Sequence, residues 1–486
     1  MNINESLCVQ TIDQLAPQIK SGKLSPVALT QAYLERIEAL DPKVNCFITV
    51  TKNLALEQAK KAEEEIKAKK YKGPLHGIPY AVKDLVATKG IRTTWGSRLF
   101  VNQVPDHDGA VVEKLRDAGG VLLGKLSMTE LAGGPPNAAF NGPVHNPWKL
   151  DHWTTGSSTG PGACAAASFA VFAIGSETTA SILGPASACG VAGFRPTYGR
   201  VSRYGCMPLS WTMDKLGPLA RSVSDCATVF QVIHGADPRD PTAVSAPFAF
   251  DPKAKMTGRR IGLVKREFDQ VPAKAKSTYE DAVKVLKSLG CVVEEVDLPD
   301  YPYGIVSRFV WQVEGGTVFE QYARKGELQE ALINKSKWFG WKAAMLIPAA
   351  DYMKVLRIRH AIILETNKLF QRFDVLVAPR NTTGARPIVT PPTQTAGAGA
   401  PGGGAAPDAD AGGGGGGAGG GGGNLGTLGN VAGLPGVSVP SGFTDTGLPV
   451  ALNFVGAAMT DGKVLETAYA YEQATSWHER HATFTE

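Results

Sequence analysis

Hydroxyl side chains are concentrated at the two ends of one stretch of small residues, residues 156–181. The stretch begins with "GSS" and ends with "GSETTAS", and it contains one acid and no base. A serine hydroxyl attacks a carbonyl carbon only when a base accepts its proton. The chain has no GxSxG nucleophile elbow, and none of its eight histidines lies in an HExxH-type metal motif. The pattern therefore indicates serine chemistry with a base other than histidine.

The remaining candidate for that base is a lysine held in its neutral form. Burial without a carboxylate partner lowers the pKa of a lysine, and nearby positive charge lowers it further. Lys83 follows the apolar run "IPYAV", which predicts a short buried strand with the amine at its end. Asp84 would point to the opposite face of such a strand. The local pattern alone leaves a second interpretation open, in which Lys83 extends to solvent.

Strands that alternate with helices must position these side chains. Ser25 and Pro26 begin a helix that we expect to end at Asp41, and a more charged helix covers about residues 54–69. These two helices predict an N-terminal helical layer over residues 1–70. From residue 73 onward, apolar strands alternate with amphipathic helices, and the predicted strands include "VLLGK", "RRIGLV", "CVVEEVDL", "FDVLVAP", "GVSVPSGF" and "LPVALNFVGA". This alternation predicts an α/β fold with a large mixed, mostly parallel β-sheet covered by helices on both faces.

Composition narrows the class of protein. Hydrophobic residues make up 43% of the 486 residues and charged residues 20%, which are ordinary values for a globular chain, so a single domain over residues 1–486 is expected. A formal net charge of +5 without a basic stripe gives little support to nucleic-acid binding. The N-terminus lacks a secretory signal pattern, and no run of 18 apolar residues occurs. Seven widely spaced cysteines favour free thiols, so we expect a cytoplasmic protein.

A glycine- and alanine-rich run at residues 396–423 interrupts the alternation. It lacks side chains that could bury surface, so a flexible loop within the domain is the expected structure. Three interpretations remain open: a lid over an active site, a neutral linker, or glycines written in place of unidentified residues.

Several motifs of the chain resemble the amidase signature family. The resemblance rests on Lys83 in "HGIPYAVKD", on "GSS" at 156–158, and on Ser181 in "GSETTASI", which follows Ser157 by 24 residues as the family pattern requires. Flanking segments are similar too, among them "GKLSMTELAGG", "CGVAGFRPTYGRVSRYG", "MDKLGPLARSV" and "GNVAGLPGVSVPSGF". The resemblance covers nearly the whole chain, and three catalytic positions with correct spacing are a specific match.

The resemblance implies a Ser–cisSer–Lys triad that cleaves amides through an acyl-enzyme. Ser181 is the implied nucleophile, Ser157 with its cis peptide bond relays a proton, and Lys83 is the final base. No cofactor and no metal are implied. The implied oxyanion hole consists of the backbone N–H groups of Thr178, Thr179, Ala180 and Ser181. The expected substrate-binding residues are Leu131, Gly133 and Ser158.

Seven positions depart from the usual family pattern, among them Thr159 and Pro161 in the loop after Ser158. Thr155 replaces the first glycine before the serines, Glu177 replaces an aspartate, and Leu183 replaces an arginine. Thr179 and Ala180 replace a glycine pair, which backbone donors tolerate as long as φ is not positive there. The loss of the arginine beside a retained acid predicts a different local arrangement of charge.

Two activities fit the triad. The first is a stand-alone amidase that hydrolyses a carboxamide, with aryl amides, carbamates (urethanes) and esters as related substrates. The alternative is the glutamine-hydrolysing component of a tRNA-dependent amidotransferase (its A subunit), although the acidic and aromatic segment expected before "GNVAGLP" is replaced by the Gly/Ala run. A non-catalytic scaffold is disfavoured by the three catalytic positions. We expect a small-molecule amide or carbamate as partner, no nucleic acid and no membrane, and a homodimer is left open.

Overall fold

The protein is described by a computed structural model, which covers residues 3–136, 138–389 and 424–485. The predicted Gly/Ala-rich loop at residues 396–423 lies outside the described residues, so its three interpretations stay open.

Eleven of the strands in the described ranges form one mixed sheet, in the order β1-β3-β2-β6-β8-β7-β12-β13-β11-β9-β10, and β4 pairs with β5 separately. The strands are β1 (Phe47–Val50), β2 (Pro79–Lys83), β3 (Val121–Leu126), β4 (His145–Asn146), β5 (Lys149–Trp153), β6 (Phe172–Glu177), β7 (Ala192–Arg195), β8 (Lys215–Ala220), β9 (Arg260–Val264), β10 (Val292–Val296), β11 (Val375–Arg380), β12 (Gly436–Phe443) and β13 (Pro449–Gly456).

Helices cover both faces of this sheet. They are α1 (Ile3–Cys8), α2 (Ile12–Lys20), α3 (Pro26–Val44), α4 (Lys52–Lys67), α5 (Ala110–Asp117), α6 (Thr159–Ala166), α7 (Leu183–Cys189), α8 (Val223–Ile233), α9 (Lys265–Asp269), α10 (Ala273–Ser288), α11 (Tyr303–Val318), α12 (Glu320–Arg324), α13 (Glu327–Ala331), α14 (Lys335–Ala344), α15 (Ala349–Arg372), α16 (Leu425–Val431) and α17 (Asp461–Gln473). Three 3₁₀ turns lie at Arg98–Phe100, Glu130–Ala132 and Trp477–Glu479. The predicted mixed sheet with helices on both faces is confirmed.

Parallel pairing occurs at two places in the sheet. Strand β2 runs parallel to both of its neighbours, β3 and β6, and β9 runs parallel to β10 and β11. The other neighbouring strands are antiparallel. The register pairs Val82 with Ile174, so the ends of β2 and β6 meet at the same edge of the sheet. This edge brings Lys83 beside the strand that leads to the predicted nucleophile.

The N-terminal segment differs in two details from its predicted helical layer. Strand β1 lies between α3 and α4, because the β-branched run "FITV" pairs antiparallel with the edge of β3. Helix α3 continues past Asp41 and contains Pro42, and it ends at Asn45 in the left-handed conformation. Pro42 has no N–H to donate to the carbonyl of Glu38, so the last turn of α3 lacks one intrahelical hydrogen bond.

The central strands are buried along their full length. Every residue of β2, β3, β6, β8 and β13 is buried, as expected where helices pack on both faces of a sheet. Buried polar side chains on such strands must find partners inside the protein. Within the described ranges, no helix combines the length and the apolar character that crossing a membrane requires.

Candidate active site

Three serine hydroxyls surround the amine of Lys83 at the end of β2. Lys83 Nζ lies 2.7 Å from Ser157 Oγ, 3.0 Å from Ser158 Oγ and 2.9 Å from Ser176 Oγ. The lysine side chain is completely buried. The interpretation in which Lys83 reaches solvent is therefore wrong, because β2 lies between β3 and β6 inside the sheet and its end faces other protein groups.

Burial lowers the pKa of Lys83 well below its usual value, and the positive charge of Lys337 lowers it further. The charges of Asp214 and Glu177 act in the opposite direction. No carboxylate of the described residues forms an ion pair with Lys83, since its three partners are hydroxyl groups. Asp84, the adjacent acid, instead accepts hydrogen bonds from Thr94 on the other face of the strand.

The two neighbouring serines lie at the entry to helix α6. The peptide bond between Gly156 and Ser157 is cis, as the family resemblance implies. Ser158 donates to the carbonyl oxygen of Ser176 and is fully buried. Thr155 adopts φ 61°, so this chain places a β-branched residue in the left-handed region that a glycine adopts without strain.

The predicted nucleophile Ser181 lies in a loop between β6 and α7. Its side chain is 8% exposed, and Ser181 Oγ makes no hydrogen bond to a described residue, Ser157 included. Within the same part of the chain, the N–H groups of residues 178–181 donate no loop hydrogen bond. Neither Thr179 nor Ala180 has a positive φ, so the two replacements of glycine cause no backbone strain there.

A buried acid fixes the far side of this loop. Glu177 Oε2 accepts from the N–H groups of Ile182 and Leu183, and Oε1 accepts from Arg195 Nη1 at 2.8 Å. Burial alone would raise the pKa of Glu177, but the charges of Arg195 and Lys215 and the hydrogen bonds from the Leu183 N–H and from Arg195 lower it to about 2. The acid is therefore ionised at neutral pH, and it holds the loop in one conformation.

A buried lysine supports a second loop, at residues 130–133. Lys337 Nζ, from α14, donates to the carbonyl oxygens of Glu130, Leu131 and Gly133 at 2.6, 3.1 and 3.0 Å. Leu131 and Ala132 have φ values of 47° and 59°, which L-residues rarely adopt. Three N–H donors of a charged amine match three carbonyl acceptors, so this lysine stabilises the unusual turn.

A cavity of about 160 Å³ lies between these two loops. Ala132, Ser176 and Thr178 line its inner end, and Trp211, which is 57% exposed, lies among the outer residues. Asp214 lies in the wall and accepts a hydrogen bond from Thr178 Oγ1 at 2.6 Å. The cavity therefore touches both a partner hydroxyl of Lys83 and the predicted oxyanion loop.

The structure brings together Lys83, Ser157 and Ser158, with the loop that carries Ser181 following β6. Ser158 lies inside the lysine network and Leu131 is fully buried, while the neighbouring Ala132 lines the cavity. The substrate contacts predicted for Leu131, Gly133 and Ser158 stay predictions.

Sequence reasoning assigned no role to four side chains that the site uses: Ser176, Asp214, Lys337 and Arg195. Three of them, Ser176, Asp214 and Arg195, lie within quoted sequence segments, but nothing in those segments indicates which distant group each side chain contacts.

The chain is similar to several known proteins over most of its length. A family model described as "Amidase" matches residues 28–397. The chain is 34% identical over 495 residues to the A subunit of the glutamyl-tRNA(Gln) amidotransferase of Carboxydothermus hydrogenoformans, covering 96% of this chain and 97% of that protein. The solved structure of the peptide amidase of Stenotrophomonas maltophilia superposes with a TM-score of 0.82 and 30% identity, over 98% of this chain and 99% of that one. The solved structure of the glutamyl-tRNA(Gln) amidotransferase A subunit from Thermotoga maritima superposes with a TM-score of 0.75 and 28% identity, over 96% of this chain and 95% of that one.

The chain thus belongs to the amidase family. It is an enzyme of the class that hydrolyses carbon–nitrogen bonds other than peptide bonds, and its relatives include both amidotransferase subunits and stand-alone amidases.

Proposed function

We propose that the protein hydrolyses a carboxamide through a covalent acyl-enzyme on Ser181, with Ser157 and Lys83 as a proton relay. The observation that carries this proposal is the 2.7 Å contact between buried Lys83 Nζ and Ser157 Oγ. Lys83 forms no ion pair with a carboxylate of the described residues, and its lowered pKa makes the neutral amine more available as a base than that of an ordinary lysine.

The proposed reaction proceeds in two halves. Neutral Lys83 accepts the proton of Ser157, Ser157 accepts the proton of Ser181, and Ser181 Oγ attacks the amide carbonyl carbon. The tetrahedral intermediate expels the amine, which receives the proton that Lys83 returns through Ser157. Water then attacks the ester by the same relay, and the acid leaves as Ser181 is restored. The hydrogen bond between Ser157 and Ser181 forms when substrate is bound, as is common for catalytic contacts.

The N–H groups of residues 178–181, which donate no loop hydrogen bond in the part of the chain that the structure describes, support an oxyanion hole in this scheme. Donors that already point at the position of the developing negative charge cost no reorganisation during the reaction. The loss of one such donor typically costs about 2.7–4 kcal/mol of transition-state stabilisation. Glu177 keeps these groups in place, because it binds the next two N–H groups of the chain, those of Ile182 and Leu183.

Glutamine hydrolysis within an amidotransferase is the second candidate function. The observation that favours it is the identity of 34–37% to amidotransferase A subunits over about 96% of this chain. Such a role would add a protein partner and a tRNA, contrary to the expectation of a small-molecule substrate alone. Both functions use the same triad, so the substrate and the need for a partner distinguish them.

A substrate panel with the isolated chain tests the proposal. We expect release of amine from a simple amide or anilide, and a carbamate and an ester are tested alongside. Glutaminase activity that appears only in the presence of a tRNA-binding partner protein would favour the second function. Ser181→Ala should abolish turnover and abolish the acyl adduct seen by mass spectrometry of the quenched enzyme. Ser187→Ala removes another hydroxyl, within α7, and should retain most activity. Wild-type turnover by Ser181→Ala would refute the mechanism.

A further inference from the structure

The cavity of about 160 Å³ beside the lysine network has a wall made largely of apolar side chains. Among them are Leu85, Met207, Pro208, Leu209 and Leu216. A cavity of about 150 Å³ with an apolar lining holds one benzene molecule. The room in this cavity therefore matches a single six-membered ring, and it is too small for a long acyl chain or a peptide.

The polar side chains of the inner wall already have partners. Asp214 accepts hydrogen bonds from Thr178 Oγ1 at 2.6 Å and from the N–H of Leu209 at 2.7 Å. Lys215 Nζ donates to the carbonyl oxygen of Met213. Among the described residues, no buried polar side-chain atom of this lining lacks a hydrogen-bond partner. The inner wall therefore offers no unsatisfied group to a polar or charged ligand, and an apolar group fits it best.

The two arginines of the lining are held by acids. Arg203 Nε lies 3.3 Å from Asp240 Oδ2, and Arg239 Nε donates to Asp237 Oδ1 at 2.9 Å. Arg239 also binds both carboxylate oxygens of Glu113, at 3.0 and 2.6 Å. Neither guanidinium is thus left as a free cation that would select an anionic substrate.

An exposed tryptophan borders the outer end of the cavity. Trp211 lines the cavity, and its side chain is 57% exposed. The guanidinium of Arg203 lies over its ring, with Cζ 5.4 Å from the ring centroid, and Arg203 Nη1 donates to the carbonyl oxygen of Trp211 at 2.6 Å. These two contacts hold the indole in place although much of it faces solvent. A fixed aromatic face beside an apolar cavity is suited to stacking against a second ring.

The inner end of the cavity adjoins the proposed proton relay. Ser176, whose hydroxyl accepts a hydrogen bond from Lys83 Nζ at 2.9 Å, lines this end. In the proposed mechanism the departing amine receives its proton from Lys83 through Ser157, so the amide nitrogen must face the relay. A group attached to that nitrogen is therefore the part of the substrate nearest to the cavity.

We propose that this cavity binds an aromatic ring attached to the amide nitrogen of the substrate, so that the enzyme prefers aryl amides. Trp211 is the specificity-determining residue, because its indole stacks on the bound ring. Met207, in the same wall, has an unbranched thioether side chain that adapts to the shape of the ring. The inference rests on the proposed function, because it assumes that the carbonyl carbon of the same molecule reaches Ser181. Acetanilide belongs to this class of substrate.

The test compares acetanilide with acetamide, in which a hydrogen atom replaces the ring. Trp211→Ala should lower the ratio of kcat/KM for acetanilide to kcat/KM for acetamide about 2- to 10-fold. Trp211→Phe should recover part of the loss, because it retains an aromatic face. Trp477→Ala removes a tryptophan from the C-terminal 3₁₀ turn and should leave the ratio unchanged. An unchanged ratio in Trp211→Ala would overturn the proposal.

Benzamide tests which side of the amide enters the cavity, because its ring is attached to the carbonyl carbon. Trp211→Ala should lower kcat/KM for benzamide less than it lowers kcat/KM for acetanilide. A larger loss on benzamide would place the ring on the acyl side and would also overturn the proposal.

Binding of aniline measures the cavity without turnover. A titration of Ser181→Ala with aniline, followed by the proton resonances of aniline, should detect binding. Adding Met207→Trp fills the cavity and should weaken that binding at least about 10-fold. Adding Trp211→Ala, a change at an exposed residue, provides a second variant should Met207→Trp fail to fold. If the enzyme cleaves no amide but aniline binding depends on Trp211, the proposed function fails and the cavity assignment stands. If aniline does not bind, the cavity assignment is wrong whatever the enzyme cleaves.

Discussion

Replacement of Lys337 by methionine should destabilise the protein through a single loop. Methionine fills a similar space but donates no hydrogen bond, so the carbonyl oxygens of Glu130, Leu131 and Gly133 lose contacts of 2.6, 3.1 and 3.0 Å. These carbonyls belong to a turn in which Leu131 and Ala132 have positive φ values, and the hydrogen bonds from Lys337 offset the strain of that backbone conformation.

Opposing contributions set the size of the effect. Three hydrogen bonds from a charged donor contribute about 1.5–3 kcal/mol each, or roughly 4.5–9 kcal/mol together. The variant avoids the desolvation of a buried amine, a cost reflected in the lowering of the Lys337 pKa to about 8 by burial, against the raising effect of Glu130. Relaxation of two left-handed residues recovers about 1–2 kcal/mol each. The remaining loss in the free energy of unfolding is therefore about 2–4 kcal/mol.

Chemical denaturation measures this loss, with Lys342→Met as the matched control. Lys342 lies five residues further along the same helix, is exposed and contacts the ring of Trp338, so its replacement should change the free energy of unfolding by less than about 0.5 kcal/mol. If the two variants unfold at the same denaturant concentration, the argument that Lys337 supports the turn is refuted.

Further predictions concern pH and the loop before the serines. The proposed base must be neutral, so kcat/KM should rise with pH as Lys83 loses its proton. The rise should level off below pH 10.5, where an ordinary lysine titrates. A flat profile from about pH 6 to 9 would contradict Lys83 as the base. Asp214→Asn removes a charge that raises the pKa of Lys83 and should move the midpoint of that rise to lower pH, whereas Lys337→Met should move it to higher pH. Shifts in the same direction would count against this electrostatic account. Thr155→Gly relieves about 1–2 kcal/mol of left-handed backbone strain in the folded state. It also stabilises the unfolded state by about 0.5–1 kcal/mol through the greater backbone entropy of glycine. The thermal midpoint should therefore stay equal or rise, and a clear fall would show that the threonine side chain stabilises the loop.

The positions proposed for the triad came from the family resemblance, and the local pattern supplied only part of the signal. An apolar strand ends at Lys83, and two hydroxyl-rich turns bracket the small residues that pack as α6 and β6. The parallel register of β2 and β6 then brings the lysine to the serines, and the alternation of strands and helices favoured such a register. The strand β1 was missed because four residues between two helices give too short a pattern.

The supporting residues could not be read in the same way. Lys337 lies in a helix with no marked apolar face, and Asp214 lies in a loop before β8; their roles depend on contacts with residues more than thirty positions away. No periodicity or motif encodes which distant carbonyl or hydroxyl a side chain will meet. Only the folded arrangement of strands and loops determines those partners.

The positive charge that pairs with the acid of the nucleophile loop comes from a distant strand in this chain. The family pattern places an arginine at position 183, where this chain has Leu183, and that leucine is buried in a small apolar cluster with residues of α6. Two other arginines lie near the position. Arg195 on β7 forms an ion pair with Glu177, and Arg380 at the end of β11 lies beside Gly184 of α7. Arg195 thus supplies the positive charge that holds Glu177 in place. Because Arg195 supplies that charge, Leu183 packs in the apolar cluster without leaving Glu177 unpaired.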